Sequence, residues 1–312
     1  MADSRSKDLF PKLTPGHHSF VSPTSNLTFT YLVRGNHILD NANNINRLII
    51  IQCPGWGLGS TYLQIGLAPL EQHFSLLYFH PRGTCGSQKP EDGTQMGSLI
   101  MARDLEDLRV YLSIEKFPAL LGHSNGGTIA LAYAEEFPER VERLVLLSHR
   151  VLGVQDEPVG RRLGGGEGEE QENDTAEDKI PPELRPIVDR ELTDAWVNVL
   201  PMYFVDQACV AKFTAAMGDT PTDGWCLTKQ KRCDRQPGVG QWMISHLGDV
   251  KANVLSIVGK QDIICPVANA ERTERDVSNA ETVLLDDCGH FPWIEKEIET
   301  FEAIATFLRQ RT

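Results

Sequence analysis

No two cysteines in the sequence have Cys-x-x-Cys spacing, and their total of seven, at positions 53, 85, 209, 226, 233, 265 and 288, is odd. Neither a disulfide framework nor a zinc-ligand set is indicated by that pattern, and a reduced, cytoplasmic chain is expected. Basic charge is scarce as well. The 30 Lys and Arg face 43 Asp and Glu, for a net charge of −13, and the longest basic run is Lys229-Gln230-Lys231-Arg232. A nucleic-acid partner needs a concentrated basic surface, so none is expected. No apolar stretch approaches the ~20 residues that cross a bilayer. Met1 to Lys12 is polar and of mixed charge, without the apolar centre of a signal peptide, so no membrane association is expected. His17-His18 has no helical i,i+4 partner and reads as a solvated pair in a loose arm over residues 1–18, leaving no metal site in view. No internal repeat is visible, and nothing in the sequence speaks to oligomeric state.

What is present is a series of short apolar runs. At 312 residues the chain can hold one large domain, or a core with a sizeable insertion. Ser19 to Val33, interrupted by Ser22-Pro23-Thr24-Ser25-Asn26, predicts two antiparallel strands and a turn. Unbroken runs follow at Leu48–Ile51, Leu76–Phe79, Ala119–Leu121, Leu144–Leu147, Val254–Val258 and Thr282–Leu285. Such runs fit strands buried on both faces. Between them lie helical patterns, with Leu99, Leu105, Leu108 and Leu112 at helix spacing and an alanine-rich stretch from Thr128 to Phe137. Strands alternating with helices predict right-handed crossovers and a mostly parallel α/β sheet covered on both faces.

The alternation stops after Ser148 and resumes at Val254. The division expected is a core formed by residues 1–150 and 247–312 and a helical cap insertion at 151–246. Helical pieces are predicted over Pro181–Arg190, Glu191–Val205 and Gln207–Met217, broken by Pro201 and Gly218. The glycine- and acid-rich segment at about 160–179 cannot bury enough apolar surface to order itself and is expected to be a mobile loop. An insertion placed there would lie over the C-terminal edge of the sheet, where open α/β folds bind ligands.

Ala119 to Thr128 reads Ala-Leu-Leu-Gly-His-Ser-Asn-Gly-Gly-Thr. A short apolar run, Gly122-x-Ser124-x-Gly126 and then helix formers is the sequence form of a nucleophile elbow, a sharp strand-to-helix turn with a serine at its apex. Three fixed positions alone recur by chance in roughly one chain in ten of this length at ordinary glycine and serine usage, so the context has to decide. A serine hydroxyl needs an imidazole to take its proton, and the imidazole needs an acid to fix its tautomer. For a serine at an elbow, acid and base are expected later, each in a loop after a strand. Val254–Val258 is followed by Gly259-Lys260-Gln261-Asp262, and Thr282–Leu285 by Asp286-Asp287-Cys288-Gly289-His290. Ser124, Asp262 and His290 are therefore the candidate catalytic residues. Asp286 and Asp287 are rival acids, and Asp262 could instead cap the helix near Val267. For the oxyanion hole, two backbone N–H donors are expected: Asn125, after the serine, and Trp56, in the loop Gln52-Cys53-Pro54-Gly55-Trp56-Gly57.

With these pieces in place the chain resembles an α/β-hydrolase, and within that superfamily it is similar to the proline iminopeptidase-like group. The resemblance rests on Cys53-Pro54-Gly55-Trp56-Gly57, His80-Pro81-Arg82-Gly83-Thr84-Cys85-Gly86-Ser87, Gly122-His123-Ser124-Asn125-Gly126-Gly127, Gly259-Lys260-Gln261-Asp262 and Gly289-His290-Phe291-Pro292. Two departures stand out. The family's His-Gly is replaced by Cys53-Pro54 or Pro54-Gly55, and His123 replaces the second glycine of the iminopeptidase elbow; His123 is read as a structural neighbour of the sheet top. The resemblance implies a serine hydrolase that forms an acyl-enzyme without a cofactor and acts on a small molecule or short peptide, as an aminopeptidase of the proline iminopeptidase type. The alternative is a carboxylesterase or lactonase for a small apolar metabolite, and a more distant one is a non-catalytic binding protein on the same fold. Gly55, Trp196, Tyr203, Phe204 and Trp242 are expected to touch substrate, with Trp225 a further aromatic of the cap. Glu183, Glu191, Asp194 and Asp206 are the insertion's candidates for recognising a free amine.

Overall fold

A computed structural model of the chain describes residues 10–35, 45–154, 181, 183–218 and 221–309. The segment expected to be a mobile acidic loop, 160–179, lies outside them. Eight strands form a single sheet: β1 (Gly16–Val21), β2 (Thr28–Arg34), β3 (Leu48–Gln52), β4 (Ser75–Phe79), β5 (Leu120–His123), β6 (Arg143–Leu147), β7 (Asn253–Gly259) and β8 (Ala280–Leu285). Their order is β1-β2-β4-β3-β5-β6-β7-β8. The first two pairings, β1 with β2 and β2 with β4, are antiparallel. All later ones are parallel.

The apolar runs become central strands because both of their faces are covered. Every residue of β3, β4 and β5 is buried. Successive side chains of a strand point to opposite faces, and Leu48 and Ile50 join one core layer while Ile49 and Ile51 join the other. The first layer is closed by α2 (Ser98–Leu112) and α3 (Asn125–Glu136). The second is closed by α1 (Thr61–Gly66) and α10 (Glu297–Arg309). The leucines at helix spacing behave as expected: Leu105, Leu108 and Leu112 are fully buried on α2.

Between β6 and β7 the described residues form α4 (Arg185–Val199), α5 (Ala208–Met217), α6 (Gly224–Asp234) and α7 (Val239–His246). α8 (Ala268–Asp276) and the short α9 (Pro292–Glu295) complete the α-helices of the described residues. One expectation is corrected here: helix α4 runs unbroken through Arg190 and Glu191. At Pro201, where a break is expected, the chain tightens into a 3₁₀ turn over Leu200–Tyr203, since proline has no N–H to donate within a helix. The sequence reading names no individual helix between Gly218 and His246, where α6 and α7 form.

The N-terminal expectation is corrected as well. Strand β1 begins at Gly16, so His17 and His18 belong to the sheet edge and not to a loose arm. His18 stacks on Tyr31 at 4.9 Å, and its Nε2 is 2.8 Å from the Thr14 carbonyl oxygen.

The strand order positions the site. From β3 the chain goes to β4 on one side and then crosses to β5 on the other. The loops that leave the C-terminal ends of β3 and β5 therefore diverge, and they open the crevice in which such sheets take ligands.

Candidate active site

The turn from β5 into α3 places Ser124 at φ 54°, ψ −122°, a conformation sparsely used by residues with a Cβ. It is held by its neighbours. Ser124 N–H donates to the Leu147 carbonyl at 2.9 Å, and the Ser124 carbonyl accepts from Gly127 and Thr128 N–H at 3.0 and 3.2 Å. Glycine is required on both sides because backbone closes in. A Cβ on Gly122 would lie 2.3 Å from the Gly126 carbonyl oxygen, and one on Gly126 would lie 2.3 Å from that of Gln52.

The loops after β7 and β8 bring in the other two residues. His290 Nδ1 lies 2.9 Å from Asp262 Oδ2, and both residues are almost fully buried. The other carboxylate oxygen of Asp262 accepts from the N–H groups of Ile264 and Cys265, each at 2.9 Å. The capping and acid readings of Asp262 are thus compatible, since one oxygen serves each. The rival acids stand elsewhere: Asp286 pairs with Lys260 at 2.7 Å, and Asp287 is exposed. His290 N–H donates to the Tyr203 carbonyl at 2.8 Å, and the Tyr203 ring meets the imidazole edge-on at 5.5 Å. No hydrogen bond joins Ser124 Oγ to His290 Nε2, a contact that commonly tightens only when substrate is bound.

His123 packs against His290, with ring centroids 4.7 Å apart. Its Nε2 is 3.0 Å from the His290 carbonyl oxygen and its Nδ1 is 3.2 Å from Tyr62 Oη. A carbonyl can only accept, so Nε2 carries the proton and Nδ1 accepts from the tyrosine hydroxyl. Burial, followed by the nearby His290, holds the His123 pKa well below the usual histidine range, which keeps this ring neutral.

The loop after β3 packs on the elbow through Asn125, whose side-chain Nδ2 donates to the Pro54 carbonyl at 2.5 Å. Asn125 N–H is at the first position of α3, where a helix leaves its donors unpaired and its dipole favours negative charge. Trp56 N–H, the other expected oxyanion donor, is given to Gln230 Oε1 of α6 at 2.8 Å. A Cβ on Gly55 would lie 2.5 Å from that same oxygen.

The expected substrate contacts between β6 and β7 divide. Tyr203 contacts His290, and Trp196 Nε1–H donates to Tyr203 Oη at 3.1 Å. Phe204 is buried, stacked on Phe291 at 5.0 Å. Trp242 does not belong with them. It stacks on His246 at 4.3 Å and shares a cleft with Glu135, Glu136 and Asp249. Glu135 is eleven residues along α3 from Ser124, roughly 16 Å at the helical rise. Trp225 faces an outer cleft with Lys229 and Arg232. The four acidic candidates Glu183, Glu191, Asp194 and Asp206 are all exposed.

Two supporting carboxylates were not anticipated from the sequence. Glu295 Oε1 accepts from Val205 and Asp206 N–H, each at 2.8 Å, and its Oε2 from Gly289 N–H at 2.6 Å, so it fastens the segment between β6 and β7 to the loop that carries His290. Asp104 takes two bonds of 2.7 Å from Arg82 of the His80–Ser87 loop, with both residues buried. Burial, opposed by Arg82, pushes the Asp104 carboxyl up to about 6. The only sequence signal for Arg82 is its place in the motif quoted above; Glu295 has none.

Residues 49–297 match the family model of the alpha/beta hydrolase fold. Among curated proteins, the chain is 24% identical over 247 residues to a putative carbamate hydrolase, RutD, of Agrobacterium fabrum, spanning 77% of this chain and 85% of that one. It is 23% identical over 328 residues to a probable proline iminopeptidase of Leptolyngbya boryana, spanning 91% of each. Among solved structures, the enol-lactonase from Burkholderia xenovorans LB400 superposes with a TM-score of 0.66 at 20% identity, covering 94% of this chain and all of that one.

Proposed function

The chain belongs to the alpha/beta hydrolase family, and from that premise we propose that it is a serine hydrolase working through an acyl-enzyme at Ser124. The observation that carries the reading is the 2.9 Å contact between His290 Nδ1 and Asp262 Oδ2, made by loops that follow consecutive parallel strands, with Ser124 on a strained elbow after β5. Asp262 orients the imidazole so that Nε2 is its basic nitrogen. Ser124 Oγ attacks a substrate carbonyl carbon while its proton passes to His290 Nε2. The new carbonyl oxyanion is received by Asn125 N–H and Trp56 N–H. The tetrahedral intermediate collapses as His290 returns the proton to the leaving alcohol or amine. Water then repeats the sequence on the acyl-serine and releases the acid.

For the substrate, we propose a small carboxylic ester or lactone with an apolar body. The support is twofold: the half-buried Tyr203 ring lies against His290 at 5.5 Å, and the four cap carboxylates available for a free amine are turned to solvent. An aminopeptidase of the proline iminopeptidase type is the second reading, favoured by the relative that matches over 91% of the chain. The two part on one comparison: turnover of a short-chain aryl ester, a lactone, a prolyl arylamide and its N-acetylated form. Activity on the ester or lactone with none on either arylamide supports the first reading. Activity on the prolyl arylamide that disappears on acetylation supports the second and removes the first.

A further inference from the structure

We infer that Gln230 is an internal stand-in for the substrate carbonyl, a cap residue that occupies the oxyanion site between turnovers and must be displaced before Ser124 can react. The inference rests on the serine hydrolase reading above and concerns how that site is opened. Gln230 is completely buried, 174 residues away in sequence from the Trp56 N–H to which its Oε1 is bonded. An amide C=O is the same acceptor group as the scissile carbonyl, and the two cannot share one N–H with good geometry.

The orientation of the glutamine follows from its other end. Ser98 Oγ donates its single proton to Asp234 Oδ2 at 2.7 Å, while Ser98 N–H donates to Asp234 Oδ1, also at 2.7 Å. The hydroxyl can therefore only accept from Gln230, which lies at 3.3 Å. The amide nitrogen faces Ser98 and the carbonyl oxygen faces Trp56, with no freedom to exchange them. Gly55 makes room for this contact, since a Cβ there would meet Oε1 at 2.5 Å. Ser98 is fully buried and Asp234 is half-buried. The stand-in is thus held by a fixed hydrogen-bond network and not by a chance surface rotamer.

A neutral hydrogen bond of this kind is worth enough to hold back reaction by roughly two- to twelvefold. The test measures the second-order rate of fluorophosphonate labelling of Ser124 in the full-length protein and in two variants, with thermal melts confirming that each is folded. Gln230→Met keeps the length and removes the acceptor, and labelling is expected to quicken by about that factor. Ser98→Ala removes the acceptor that anchors the other end of the amide and is expected to quicken it by a smaller factor. Quicker labelling in both variants is the signature of occupancy, because loss of a merely structural contact would loosen the loop that carries Trp56 and slow both. Equal rates in all three proteins, or slower labelling in either variant, overturns the proposal while leaving the serine hydrolase reading intact. Failure of the parent protein to label at all removes that reading and this one together. Should Gln230→Met not fold, Gln230→Asn, too short to span the contact, carries the same expectation.

Discussion

Glu135 sits near the C-terminal end of α3, 3% exposed, and neither of its carboxyl oxygens has a hydrogen-bond partner. Burial first, and the charge of Asp249 second, push its pKa up to about 9, so the folded protein holds a proton there that the unfolded chain releases above about 4.5. The sign follows from linkage. Between these two values the native state binds more protons than the unfolded state, so this group's contribution to stability is fully present below about pH 4.5 and is lost as pH rises toward 9. The slope is about 1.4 kcal/mol per pH unit. Three buried histidines oppose it. Burial lowers His80 to about 4 and His149 to about 3, and lowers His123 as well. They remain neutral in the fold, so their contribution is full above about pH 6.5 and lost as pH falls below it. The Glu135→Gln variant cancels the histidine contributions, because they are common to both proteins. Between pH 6 and pH 8 the variant should gain about 2–3 kcal/mol on the parent, or roughly 4 °C in melting temperature for a chain of this size. Urea melts of both proteins at pH 6, 7 and 8 measure it. A stability difference that does not change with pH would refute the reasoning, since it would mean that Glu135 is ionised, or equally protonated, in both states.

Two further outcomes follow from the same geometry. Arg82→Met leaves the buried Asp104 carboxylate without its two bonds of 2.7 Å and should destabilise the fold by about 3–5 kcal/mol in urea melts, with part of the loss recovered in Arg82→Met/Asp104→Leu. Recovery in the double variant is the critical result, because none would be expected if the arginine mattered only for packing. Asp262→Asn keeps an acceptor for Ile264 and Cys265 N–H but turns an amide toward His290. It should lower kcat by on the order of 10³–10⁴ with little change in melting temperature; a variant that retains parental turnover would remove Asp262 from the acid role.

The parts of the fold readable in advance are those where a single physical demand dominates. Strands β3 to β7 are legible because burial on both faces leaves them almost no polar residues in their central positions. Strand β1 is not, because it is an edge strand, and Gly16, His17 and His18 there are exposed or half-exposed. The break expected at Arg190 fails because nothing at that position stops a helix, whereas Pro201 does. The site divides in the same way. Ser124, Asp262 and His290 could be picked out as candidates because each stands directly after a strand, where chain order and local composition carry the information. The misplacement of Trp242 has a different cause: composition marks the insertion as aromatic but does not say which face of which helix turns toward the sheet. Gln230, held by a contact across 174 residues, leaves no local trace. Its neighbours Lys229, Lys231 and Arg232 are basic, so local composition marks a charged stretch and not a buried amide.

The central claim is that Ser124 is the nucleophile, and intact-mass measurement of fluorophosphonate labelling tests it most directly. The parent protein should gain one adduct, mapped by peptide fragmentation to Ser124, while Ser124→Ala should gain none and lose turnover of every substrate the parent accepts. An adduct on another residue, or undiminished labelling and turnover in Ser124→Ala, would contradict the claim.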